Sequence, residues 1–125
     1  MLRVYLTALS HVNVRTHRLP QMIAFYRDVL GMVQGPRPAF SFGGAWMYVG
    51  QHPVVHLVQV AEAPSPGRSL QLEHFALAGT DAPAFIAHLD RLGVPHREGK
   101  LEDFRQLQVN VHDPDGNHIH IDFAL

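Results

Sequence analysis

Apolar residues recur along this chain with two different periods, and the switches between them mark out its elements. LSHVNV (9–14), PVVHLVQV (53–60), LEHFALAG (72–79) and NHIHIDF (117–123) alternate or cluster over short runs, the pattern of strands. Two segments carry the wider helical spacing. In LPQMIAFYRDVLG (19–31), Met22, Ile23, Tyr26, Val29 and Leu30 form one stripe, Pro20 suits a first-turn position and Gly31 a stop. In DAPAFIAHLDRLG (81–93), Phe85, Ile86, Leu89 and Leu92 form the stripe, Thr80 or Asp81 caps the start and Gly93 ends it. Shorter strands are predicted around 32–35, 40–42, 45–49, 95–98 and 104–111, and the turn DPDG (113–116) precedes the last strand. AEAPSPGRS (61–69), with two prolines and a glycine, reads as the connector.

This order repeats. A strand, a helix and three strands occur twice, about 1–60 and 70–125, and LSHVNV…FYRDVLGM aligns with LEHFALAG…HLDRLGVP. The prediction is one α+β domain over 1–125, made of two βαβββ units whose helices cover the outer face of a concave cup of mixed sheet. A chain of 125 residues is long enough to bury roughly two-thirds of its unfolded surface without staples. The net charge of −1 gives no field favouring nucleic acid or a membrane surface. The absence of cysteine excludes disulfides and thiolate metal sites. No apolar run reaches the length of a membrane helix and MLRVYLTALSHV is not a signal peptide, which leaves a cytoplasmic address by default.

Ten histidines change this ordinary picture. His11 and His74 hold the same place in the two units, 63 residues apart, and His56 and His120 lie 64 apart on the units' last strands. Their neighbours Val12, Val55, Leu57, Phe75, Ile119 and Ile121 are apolar and point toward the helices, so the imidazoles face the open side. Four imidazoles converging from separate strands suit a divalent transition metal. A single strand histidine is more often a hydrogen-bonded structural residue; the repeat relation is what favours the metal.

The matching stretches LSHVNV, FYRDVLGM, GAWMYVG, VVHLVQV, LEHFALAG and DPDGNHIHIDF resemble, in order and spacing over nearly the whole chain, the vicinal oxygen chelate superfamily of glyoxalase I, fosfomycin and bleomycin resistance proteins, extradiol dioxygenases and methylmalonyl-CoA epimerase. The resemblance implies one metal inside the cup, held by His11, His56, His74 and His120, and a homodimer, in some members with half-units exchanged. The family's last ligand is usually glutamate and its second often a carboxylate or glutamine. Histidine at both places points to zinc, nickel, copper or iron(II) rather than magnesium, calcium or manganese. It also argues against classical glyoxalase I chemistry, which needs a carboxylate at the metal.

Asp122, one strand period beyond His120, is the candidate ligand-orienting group or base. Trp46 and Tyr48 share a strand face and are candidates for the pocket wall; PRPAFSF (36–42) is a loop placed to close the mouth. Asn13 and Arg15 continue the His11 face, and Arg105 and Gln108 on the seventh strand are further anchors for a small substrate. His118 is read as a rim residue, and His17, His52, His88, His96 and His112 as solvated; Phe25, Tyr26 and Phe85 are assigned to the core. The leading function is a metal-dependent lyase, isomerase or dioxygenase type of enzyme that chelates oxygen atoms of a small molecule. The alternatives are a metal-free drug- or metabolite-binding protein of the bleomycin-resistance kind, and a sensor opened by histidine protonation.

Overall fold

A computed structural model describes residues 5–65 and 70–125. Part of the predicted connector, residues 66–69, lies outside them. Strand β1 (Val12–Thr16) leads into helix α1 (Leu19–Ala24), which widens into a π-type turn over Phe25–Val29. Strands β2 (Val33–Gly35), β3 (Gly44–Val49) and β4 (His52–Gln59) complete the first unit. The second unit comprises β5 (His74–Ala78), helix α2 (Ala82–Leu92), β6 (Arg97–Leu101), a single tight turn at Glu102–Phe104, β7 (Gln106–His112) and β8 (His118–Ala124).

Both units fold alike, as the repeat requires. The first sheet has the order β1-β4-β3-β2 and the second β5-β8-β7-β6. In each, the first strand runs parallel to the fourth and the remaining pairs are antiparallel. The registers match too: Asn13, two residues after His11, faces His56, and Ala76, two residues after His74, faces His120. Both helix stops carry the expected glycine with positive φ, Gly31 at 76° and Gly93 at 70°. Asp81 caps α2, its side chain accepting from the Ala84 amide.

The inward stripes form one core. Met22 of α1, Phe25 and Tyr26 of the π-type turn and Leu89 of α2 pack with Met47, Val55 and Leu57 of the first sheet and Val109, Val111, Ile119 and Phe123 of the second. The DPDG turn is the main polar link between the units. Buried Asp113 accepts from the Asp115 and Asn117 amides and from the Asn117 side chain, and also from the Tyr26 hydroxyl at 2.8 Å. Arg18 reaches Asp115 and the Pro114 carbonyl from the first unit. The start of β8 is thereby tied to α1.

Several expectations shift. Residues 40–42 form no strand; Phe40 and Phe42 stack in an exposed loop with the Arg37 guanidinium over both rings. His11 lies just before β1 rather than on it. Arg105 is not on β7 but at the left-handed corner before it, φ 50°, where its carbonyl accepts from the Leu125 amide. Leu92, assigned to the helix stripe, is exposed. His96 is half-buried and bonded to the Val94 carbonyl, and half-buried His88 donates to the Asp28 carbonyl, so neither is simply solvated.

Candidate metal centre

Strand alternation puts the histidines on the faces away from the helices. On β4, Val55 and Leu57 enter the core and His56 faces the other way; on β8, Ile119 and Ile121 do so, with His118, His120 and Asp122 opposite. The predicted ligands come together as two pairs. His11 stacks on His56 with ring centroids 3.8 Å apart, and His74 stacks on His120 at 4.0 Å. Among the described residues, no ring contact, charge interaction or cluster of ligand atoms joins one pair to the other. Nor does any strand of one sheet pair with a strand of the other. A single chain therefore presents two half-sites.

The first half-site is a layered stack. His56 is sandwiched between His11 and Trp46, whose ring lies 3.9 Å away at 10°. The row Asn13–His56–Trp46 crosses β1, β4 and β3 in register, so Trp46 borders the imidazoles as a wall. Tyr48 points to the rim, donating to the Pro36 carbonyl at 2.5 Å, while Asn13 and Arg15 are exposed. Burial and the neighbouring His11 lower the pKa of His56, so it is neutral at pH 7. Its Nε2 atom is buried with no partner. An orphaned buried nitrogen costs about 1–3 kcal/mol, and a metal ion would satisfy it. The donor set thus fits a transition ion.

The second half-site is richer than sequence reasoning allowed. His118 faces His74 directly across β5 and β8 and joins His74 and His120, the three offering ligand atoms within 4.8 Å of one another. Glu73 receives hydrogen bonds from His74 Nδ1 and from His118 Nδ1, and these hold its carboxyl down at about 2. Burial, with His74 next in weight, lowers the pKa of His120. Asp122 Oδ1 is buried without a hydrogen-bond partner, 3.7 Å from His120 Nδ1. The signal for His118 was its place two residues before His120, on the same strand face.

Beyond Asp122 the open face of the second sheet ends in a cavity of about 390 Å³, lined by Ala76, Ala78, Phe104, Arg105, Gln106 and Asp122. Arg105 and Asp122 therefore share a recess, away from Asn13, Arg15, Trp46 and Tyr48 on the other sheet. No helix among the described residues is long and apolar enough to cross a membrane.

The family model of the Glyoxalase/Bleomycin resistance protein/Dioxygenase superfamily matches residues 8–121. The chain is 26% identical over 125 residues to Glyoxylase I 4 of Arabidopsis thaliana, covering 94% of this chain and 71% of that protein. A Bacillus anthracis protein assigned to the glyoxalase family superposes with a TM-score of 0.82 at 23% identity, over 99% of this chain and 100% of that one. Lactoylglutathione lyase of Agrobacterium tumefaciens superposes with 0.73 at 18% identity, over 96% of both chains. At these identities the two superpositions speak for the fold alone.

Proposed function

Because the chain belongs to the Glyoxalase/Bleomycin resistance protein/Dioxygenase superfamily, we propose that it is a metal-dependent enzyme for a small oxygen-bearing molecule, with its centre completed between two copies. His11 and His56 of one copy and His74 and His120 of the other would hold one divalent ion. The observation that carries this is the pair of stacked, repeat-equivalent imidazole half-sites, with no contact between them among the described residues and one of them with a buried Nε2 that has no hydrogen-bond partner. Exposed apolar residues flank each half-site in the same way, Leu6 and Leu9 before His11 and Leu70 and Leu72 before His74. Such residues are suited to burial between copies.

Bound zinc, nickel, copper or iron(II) supplies Lewis-acid polarisation of a coordinated substrate oxygen. The chain's own groups divide the remaining work. Trp46, with Phe40 beyond it, forms an aromatic wall that orients a planar substrate and excludes water. Arg105 offers a positive anchor in the recess that Asp122 borders. Asp122, with one oxygen unpartnered beside His120, accepts a proton or orients that ring. No carboxylate occupies the positions of His56 and His120, so proton transfer in the glyoxalase I manner is not assigned to them.

The test is elemental analysis of protein purified without a histidine tag, with zinc titration of two double variants. Stoichiometric metal in the wild type is expected, with weaker binding by His11→Ala/His56→Ala and by His74→Ala/His120→Ala. Mixing the two variants should restore full-affinity binding at one ion per mixed dimer. Metal-free wild type that still binds small aromatic ligands would overturn the reading. That result would favour the second one, a metal-free binder, which the Arg37, Phe40, Phe42 and Trp46 cluster supports.

A further inference from the structure

The two half-sites are not equivalent, and the difference is His118. The repeat offset of 64 residues that relates His56 to His120 sets Val54 opposite His118. The first unit has an apolar residue where the second has a third imidazole. That imidazole lies with its ring centroid 5.2 Å from His74 and 5.0 Å from His120. The carboxylate environment is lopsided as well. Glu73 contacts two of the three rings and Asp122 approaches the third, and the charges of both act on His120. Among the described residues, the charge acting on His56 is that of another histidine, His11.

We propose that each chain by itself holds a divalent transition ion through His74, His118 and His120, with Glu73 as the positioning residue for two of the rings. This deepens the reading above, on which it rests for His74 and His120; His118, Glu73 and independence from a second copy are the additions. An ion 2.0–2.1 Å from three nitrogens in tetrahedral array needs them about 3.4 Å apart. Ligand atoms within 4.8 Å of one another therefore close by at most about 1.4 Å, within reach of side-chain rotation. Glu73 orients the rings in the manner of carboxylate–histidine–metal arrangements, its oxygens contacting Nδ1 of His74 and Nδ1 of His118. At His118 the ion takes the place of Asn110 Oδ1, now 2.8 Å from Nε2, and Asn110 keeps its other bond, to the Arg97 carbonyl. Two nearby carboxylates also offset the dication charge that four imidazoles alone would leave uncompensated.

The physical consequence is an order of assembly. The second unit would load the ion first, and His11 and His56 of another copy would then complete its shell.

The experiment uses the full chain without a tag, carrying His11→Ala/His56→Ala so that the shared site is disabled, and titrates it with Co²⁺ and Zn²⁺. One ion per chain should bind, with the visible absorption of cobalt in a histidine environment. Adding His118→Val, which installs the residue the first unit carries at that place, should weaken binding about 100-fold. Glu73→Gln, at an exposed position, should weaken it about 10–100-fold. Retained circular dichroism in each variant secures the comparison. The inference is overturned if the His11/His56 variant binds no ion, or if His118→Val binds as tightly as its parent. Failure of the shared site shows differently: the wild type and the His11/His56 variant would bind alike, and mixing half-site variants would restore nothing.

Discussion

Replacing Tyr26 by phenylalanine tests how the fold holds the metal-bearing strand. The Tyr26 ring is fully buried on α1, and its hydroxyl donates to Asp113 at 2.8 Å, the contact that ties the DPDG turn and the start of β8 to the first unit. Phenylalanine keeps the packing and removes one hydrogen bond to a carboxylate, a loss of about 1.5–3 kcal/mol. For 125 residues the unfolding entropy is about 0.26 kcal/mol/K, so each kcal/mol moves Tm by about 4 °C and the expected fall is about 6–12 °C. A second signature separates this bond from a packing defect. Burial, then the Asp113 charge and hydrogen bond, push the Tyr26 pKa far above its ordinary 10.0. Above pH 10 the unfolded tyrosine therefore loses its proton while the folded one keeps it, and the unfolded state binds fewer protons. Stability must then drop as pH rises, by about 1.4 kcal/mol per pH unit. Calorimetric melting from pH 7 to 11 should show this alkaline decline in the wild type, and a decline shallower by that amount in Tyr26→Phe. A Tm change below 2 °C together with parallel alkaline limbs would show that the bond does not hold the two units together.

Two further expectations concern the site. Trp46→Ala removes one side of the His56 stack and the adjoining wall, so affinity for planar aromatic ligands should fall at least tenfold with the zinc stoichiometry intact; fluorescence titration and elemental analysis together check it. The pKa values of His56 and His120 are lowered from 6.5, chiefly by burial, so both rings are neutral at pH 7 and stay neutral somewhat below it. Since the unfolded rings take up protons first, stability without metal should fall as pH drops below 6.5. Metal affinity should fall at lower pH still, as the folded rings protonate, and a zinc titration unchanged between pH 7 and 4 would exclude imidazole ligands.

Much of this was legible in one dimension because it depends on periods. Alternation on β4 and β8 sends His56 and His120 away from the core, and the offsets of 63 and 64 residues relate His11 to His74 and His56 to His120. The helix stops at Gly31 and Gly93 and the cap at Asp81 are local chemistry, and they stand where expected. Arg105 was misplaced because a left-handed corner at a non-glycine residue has no strong sequence signal. Phe40 and Phe42 suggested a strand by their alternation, but they satisfy each other and Arg37 within a loop.

What the sequence determined by itself is everything set by near neighbours along the chain: two βαβββ units, the buried and open face of each strand, and the imidazoles assigned to the open ones. Only the tertiary structure decided which of those imidazoles meet. Strand pairing brings His118 against His74 and against the Glu73 carboxylate beside it, 45 residues away from Glu73 along the chain. The DPDG turn is hydrogen-bonded to Tyr26 of the first unit, and among the described residues no ring contact joins the two histidine pairs. Facing is a local property of a pleated strand; convergence depends on how whole sheets are placed, which the core between the units settles.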